Sequence, residues 1–332
     1  MPYMLPMPAL QPRYPVPFFI LIKTSHSPLH HNSSLRIQYT SPWITPRMLR
    51  VAAINFLNPA PLMWDFEHPP LAAELAQRYT LHYTLPSRCA EDLLAARADL
   101  GLIPIASLTP DLAIVTGCTI ASLNEVRSIQ LIVKSGNAKS PRTLSTVKTI
   151  AADTASRSSL AYAEIFFRKF LQTQPTFLPA AADPIAMLQQ ADAAILIGDP
   201  ALLALESRGA IEEEIGPCQW FDLAHEWHTR TGLPWVAAVW AVRPEALGTS
   251  NLSAAQLTED LEASRNHGLL NIENLVEQWA PRIAIPPATI RHYLSHNIHY
   301  VLNTDCIRAI ELFRQYAAEA DILPPLPRLR FL

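Results

Sequence analysis

From Met48 onward, short apolar runs alternate with stretches whose apolar residues recur every three or four positions. That alternation is the pattern of a largely parallel sheet covered by helices, an α/β protein. Strands are predicted over Arg50 to Phe56, Thr80 to Thr84, Leu100 to Ile103, Ile129 to Val133, Thr149 to Ala152, Ala193 to Ile197 and Val236 to Val242. Between them, Arg157 to Leu171 places Leu160, Ala163, Phe167, Phe170 and Leu171 at helical spacing, so one face packs on a sheet. Asn58 followed by Pro59 has the sequence of an N-cap with proline at the first helical position, and Ser87 and Asp199 also look like caps. After Arg243-Pro244 the strand signals stop. Helical patterns fill Ala254 to His267, Ile272 to Ala280, Pro287 to Leu302 and Asp305 to Ala320, which predicts a helical C-terminal portion.

The first 47 residues break the pattern. They are rich in Pro, His, Ser and Tyr and contain no Asp, Glu or Gly, which predicts a disordered N-terminal extension. Its apolar stretch Pro17 to Ile22 lacks the charged start and small-residue cleavage site of a secretory signal, and a start at Met48 is the simpler account of the tail.

Composition narrows the functional classes. Apolar residues make up 49% and charged residues 17%, too hydrophobic for a disordered chain, yet no apolar run approaches the roughly 20 residues of a membrane span. The net charge of -3 and the lack of a Lys/Arg run argue against nucleic acid as a partner. Cys89, Cys118, Cys218 and Cys306 are far apart and form no CxxC pair, so neither a zinc site nor a disulfide framework is expected, and a reducing cytoplasm fits best.

Three places carry candidate chemistry. Asp153-Thr154-Ala155-Ser156-Arg157-Ser158-Ser159 follows a strand and opens a helix, so free backbone N–H groups, hydroxyls and the positive end of the dipole converge on an anion site. The plainer reading is that Ser156 caps the helix. Asn58 lies at another strand-to-helix turn, where its amide either caps or reaches into a cleft. Ser128, taken alone, is a hydroxyl at a strand edge. His292, His296 and His299 fall on the solvated face of the expected C-terminal helix, and His225 and His228 lack the spacing of a zinc-protease motif, so no metal is expected. With no P-loop, GxGxxG or GxSxG and only nine glycines, a nucleotide cofactor is not expected either.

Taken together, several segments resemble the chorismate dehydratases of the futalosine route to menaquinone. They are INFLNPAPL (54–62), PSRCAEDLLAARADLGLIP (86–104), VRSIQLIV (126–133), ADTASRSSL (152–160), DAAILIGDPAL (192–202) and DLAHEWHTRTGLPWVAAVWAVR (222–243). The resemblance runs from Met48 to about Leu323 and leaves the N-terminal tail outside it. It implies a two-lobed, type II periplasmic-binding-protein-like fold, each lobe a mixed sheet flanked by helices. Lobe one would hold 48–134 plus 241–332 and lobe two 135–240, with Ser128 to Val133 and Val236 to Val242 as connecting strands and the helix starts at Asn58 and Ser156 facing each other.

By resemblance, Asn58 and Ser128 take the positions of the family's functional asparagine and serine, and Thr154, Ser156, Arg157, Ser158, Ser159 and Asp199 become substrate-binding candidates. The activity implied is loss of water from chorismate to give 3-[(1-carboxyvinyl)oxy]benzoate, with the substrate's own enolpyruvyl carboxylate as base and no cofactor. Removing the ring proton sends charge into the ring carboxylate, where fixed neutral donors favour the transition state over the ground state. Two rivals share the scaffold. One is the pathway's dihydroxynaphthoate synthase, whose histidine motif is not found here, and the other is a non-catalytic solute-binding protein, which needs export.

Overall fold

The computed structural model describes residues 47–332 apart from 138–139, 154, 156 and 327. The expected disorder of the N-terminal extension therefore falls outside the described residues, except that Arg47 pairs with Asp99 at 3.1 Å. The strands are β1 (Leu49–Ile54), β2 (Tyr79–Thr84), β3 (Leu100–Pro104), β4 (Ala113–Ser122), β5 (Ile129–Lys134), the two-residue pair β6 (Gly136–Asn137) and β7 (Ser140–Pro141), β8 (Thr149–Asp153), β9 (Thr176–Ala180), β10 (Ala193–Ile197), β11 (Cys218–Asp222), β12 (Trp235–Val242) and β13 (His299–Leu302).

Two larger sheets result, one of six strands in the order β13-β4-β12-β3-β1-β2 and one of five in the order β11-β5-β10-β8-β9. Both are mixed. In the first, β1 runs parallel to β2 and β3 while β12 is antiparallel to β3 and β4. In the second, β8 is parallel to β9 and β10, and β5 is antiparallel to β10 and β11. This is the two-sheet α/β architecture that the alternating pattern and the resemblance imply. The central strands LRVAAI, LGLIP, AAILI and WVAAVWAV are almost wholly buried because helices cover both faces, which is why they read as continuous apolar runs. Strand β5 lies wholly in the five-stranded sheet and β12 wholly in the six-stranded one, so the chain changes sheet between β4 and β5 and again between β11 and β12.

Two expectations are corrected. The C-terminal portion is not purely helical: the helix expected over Pro287 to Leu302 ends in a wide turn, Tyr293–Asn297, and His299–Leu302 forms edge strand β13 against β4. The helical period misled because Ile290, Leu294 and Ile298 are buried in either conformation. Secondly, no cap hydrogen bond forms at Asn58. The turn after it is a short 3-10 segment, Ala60–Met63, with Pro59 at its cap position. Ser87 and Asp199 likewise sit inside the helices Pro86–Leu94 and Gly198–Glu206, one residue beyond each start, with no side-chain cap.

Candidate functional site

Parallel strands leave their helices and turns at their carboxyl ends, and in open α/β sheets ligands bind there. A cavity lies in that position, walled by Ile54 at the end of β1 with Phe56 and Asn58 beyond it, Pro104 at the end of β3, Ile197 at the end of β10 with Gly198 next to it, Ser128 and Ile129 at the start of β5, Ser159, and Trp235, Ala237 and Ala238 of β12. Its volume is about 40 Å³, room for a few waters. A register shift between Val236 and Ala238 lets adjacent residues of one strand share the wall.

The sequence-derived candidates within the described residues each have a definite place. Asn58 and Ser128 line the same cavity. The Asn58 carbonyl oxygen is buried with no partner among the described residues, so the amide has been released from capping rather than consumed by it. Ser128 is buried, and its main-chain oxygen accepts from Gly198 N–H at 2.8 Å. The Tyr293 phenol, pushed well up by burial, lies within reach of the Ser128 hydroxyl.

The helix Arg157–Ile165 separates its first three residues by function. Arg157 is exposed and reaches Glu91 at 3.3 Å. Ser158 is fully buried, with its hydroxyl accepting from Ala106 N–H at 3.3 Å and donating to the Ala237 carbonyl at 3.0 Å, so it is spent on structure and does not line the cavity. Ser159, one step further round the helix, does line it. Thr154 and Ser156 lie outside the described residues. Asp199 stands next to the cavity wall, but its carboxylate accepts from Leu57 N–H at 3.0 Å. Burial pushes its pKa up to about 6, and that hydrogen bond offsets part of the rise.

These contacts fasten the two sheets around the cavity. Leu57 N–H on Asp199, Ser87 N–H on the Ala155 carbonyl at 3.1 Å, and Ser158 between Ala106 and Ala237 each join a segment of one sheet to a segment of the other. Phe56 lies on Gly198, where a Cβ would come within 2.9 Å of the ring.

The sequence patterns mark none of Trp235, Phe56, Tyr293 and Gly198 as a site residue. Trp235 is buried, but it also forms part of the wall. Nothing in a single sequence marks which buried aromatic faces a cavity. His299, which the sequence grouped with His292 and His296, is half-buried on β13, and burial lowers its pKa. His292 and His296 stack on one another at 4.7 Å. Among the described residues no group of three His, Cys, Asp or Glu side chains is arranged to hold a metal ion. No helix among them is long and apolar enough to cross a membrane.

Comparison with known proteins adds independent findings. A family profile described as menaquinone biosynthesis matches residues 49–319. The chain is 32% identical over 151 residues to the chorismate dehydratase of Thermus thermophilus, an alignment that covers 43% of this chain and 52% of that enzyme, so it spans about half the length of that relative. Two solved structures share the fold at low identity. Protein AF1704 from Archaeoglobus fulgidus aligns with a TM-score of 0.60 at 14% identity, over 83% of this chain and 98% of its own. The alkanesulfonate-binding protein SsuA from Xanthomonas axonopodis pv. citri, bound to MOPS, aligns with a TM-score of 0.59 at 18% identity, over 84% of this chain and 95% of its own. Both likenesses concern the periplasmic-binding-protein-like fold alone.

Proposed function

The chain belongs to the menaquinone-biosynthesis family, and from that premise we propose that it is a chorismate dehydratase, a hydro-lyase acting in the cavity between its two sheets. The observation that carries this reading is the wall itself: among the described residues its hydroxyl and amide side chains are Asn58, Ser128 and Ser159, all uncharged, and the buried Asn58 carbonyl oxygen has no partner among them.

Such a wall suits an elimination in which the substrate brings its own charges. Chorismate carries two carboxylates and a ring hydroxyl. Breaking the ring C–H bond beside the enolpyruvyl ether and the C–O bond of the hydroxyl releases water, the electron pair of the first completing the aromatic ring as the second leaves. In the proposed mechanism the enolpyruvyl carboxylate takes the proton, and the Asn58 amide N–H and Ser128 hydroxyl hold that carboxylate over it. The Ser159 hydroxyl serves the ring carboxylate, into which charge spreads as the proton leaves. Asp199 acts beside the site by holding Leu57, and Arg157 by pairing with Glu91 at the rim.

We take the two sheets as the two lobes. This sets the exchanges before Ile129 and before Trp235, upstream of the boundaries at Lys134 and Trp240 read from the sequence. A cytoplasmic location is part of the proposal, supported by four buried, unbridged cysteines.

Purified protein incubated with chorismate is expected to yield the aromatic enolpyruvyl benzoate without added metal or cofactor. Asn58→Ala and Ser128→Ala are each expected to lower turnover about a hundredfold or more, as the loss of one positioned donor commonly does. Near-normal turnover in both variants would overturn the assignment, and binding of chorismate without any turnover by the unmodified chain would leave a solute-binding protein.

A further inference from the structure

Four tryptophans near the second sheet exchange differ in what their indole N–H groups meet. Trp227 donates to the Pro234 carbonyl at 3.0 Å and Trp220 to Glu212 at 2.8 Å. Trp235 and Trp240, both on β12 and only 1% and 0% exposed, have buried Nε1 atoms with no partner among the described residues. A buried indole N–H ordinarily finds an acceptor, so each exception calls for a reason. Of these two residues only Trp235 lines the cavity. Its ring is held in place by Tyr162, at 5.4 Å between ring centroids, and the Tyr162 hydroxyl in turn accepts from Val236 N–H at 3.3 Å. Asn58, a residue of the same wall, likewise has a buried carbonyl oxygen with no partner among the described residues, so the wall carries one acceptor and one donor that do not satisfy each other.

We propose that Trp235 is a substrate-binding residue whose indole N–H donates to a carboxylate oxygen of the bound dicarboxylate, alongside Asn58 and Ser128. This rests on the reading of the cavity as the dehydratase site and adds to it a donor that is neither a hydroxyl nor an amide. An indole suits the place because it presents one donor, no acceptor and no charge.

The test exploits the matched pair on one strand. Trp235→Phe keeps a flat apolar ring and removes the N–H, and Trp240→Phe does the same at a position away from the cavity. With both variants shown to be folded by thermal denaturation, Trp235→Phe is expected to lower kcat/KM for chorismate by about ten- to a hundredfold, the value of a hydrogen bond to a charged acceptor, and Trp240→Phe to stay within about twofold. Independently, in 15N-labelled protein of the natural sequence the Trp235 indole resonance is expected to move on titration with 3-[(1-carboxyvinyl)oxy]benzoate while that of Trp240 stays still. The titration decides the matter where Trp235→Phe fails to fold. Equal kinetics in the two variants, or an unmoved Trp235 resonance under saturating ligand, would overturn the proposal. If Asn58→Ala still abolishes turnover in that case, the reading of the site survives without Trp235; if Asn58→Ala is also active, the reading itself has failed.

Discussion

Replacing Gly198 by alanine loads the contact between the two sheets with two separable costs. Gly198 has φ +62°, a conformation that side-chain-bearing residues adopt at a cost, and its missing Cβ leaves room for the Phe56 ring. The backbone cost for alanine is about 1–2 kcal/mol, set by the chain's own geometry at that residue. The second cost is steric. An added Cβ would lie 2.9 Å from two Phe56 ring carbons and 3.3 Å from a third, whereas ordinary contact lies about half an ångström further out. Phe56 forms part of the cavity wall, so any shift of the ring reshapes the site, and overpacking of this kind costs about 1–3 kcal/mol. The strain is borne by every folded conformation, whereas the clash is borne only while Phe56 rests on Gly198. Thermal denaturation should therefore show a Tm lowered by about 2–8 °C from strain alone. A continuous assay of chorismate loss should show kcat/KM lowered by about five- to a hundredfold, beyond what the unfolded fraction accounts for. A variant that loses stability but turns chorismate over normally would refute the reasoning, because the Phe56 contact would then form no part of the active geometry.

Two further substitutions probe the fastening. Ser158→Ala leaves Ala106 N–H and the Ala237 carbonyl without their shared partner inside the core, a loss of about 2–4 kcal/mol measured by urea denaturation, while KM in the folded fraction stays within about twofold. A KM raised tenfold would return Ser158 to the substrate-binding set. Asp199→Asn concerns pH. The folded-state pKa of Asp199 is raised from 3.8 to about 6 by burial, so ionisation opposes folding: its contribution is fully present below pH 3.8, is lost as pH rises through about 6, and stays lost above that. The amide still offers Leu57 N–H an acceptor but does not ionise. The variant should therefore match the natural sequence in denaturant midpoint near pH 4 and exceed it by about 2–3 kcal/mol at pH 7. An unchanged difference across that range would show that Asp199 does not titrate there.

How much of this was legible in the sequence depended on burial. The strands covered on both faces, β1, β3, β5, β8, β10 and β12, announce themselves as apolar runs, and their observed ends differ from the expected ones by two residues at most. Besides the two-residue strands β6 and β7, four strands went unread, and three of them, β9, β11 and β13, are sheet edges. Thr176–Ala180 carries Pro179, Cys218–Asp222 is half-exposed, and His299–Leu302 hides within a helical period, so none shows the continuous signal. The fourth, β4, is interrupted by exposed Thr116 and by Gly117 at φ +89°. At the site, a serine-rich helix start was visible as a feature but not as a division of labour. Successive residues on a helix point about 100° apart, so Ser158 and Ser159 have the same local signature, yet only Ser159 lines the cavity. That Ser158 turns away from the cavity is decided by Ala106 and Ala237, which are 52 and 79 residues away from Ser158 in the chain.

The unpaired groups also bear on how the proposed site would let its product go. An enclosed wall of neutral donors and acceptors gains affinity chiefly by having its buried polar atoms satisfied, and such sites reject a molecule that lacks one of the matching groups far more strongly than an apolar pocket rejects a missing methylene. On the proposed reading, chorismate supplies a carboxylate to the Trp235 N–H and a ring hydroxyl to the Asn58 carbonyl. Elimination destroys that hydroxyl as a ring substituent. The aromatic product keeps both carboxylates but no longer has a donor for Asn58, whose carbonyl oxygen is again buried and unpaired unless the released water remains beside it. Loss of one hydrogen bond at a buried group is worth about 1–3 kcal/mol, so the product should bind about five- to a hundredfold more weakly than the substrate through this contact alone. The same uncharged wall that positions the reaction thereby opposes inhibition by its own product.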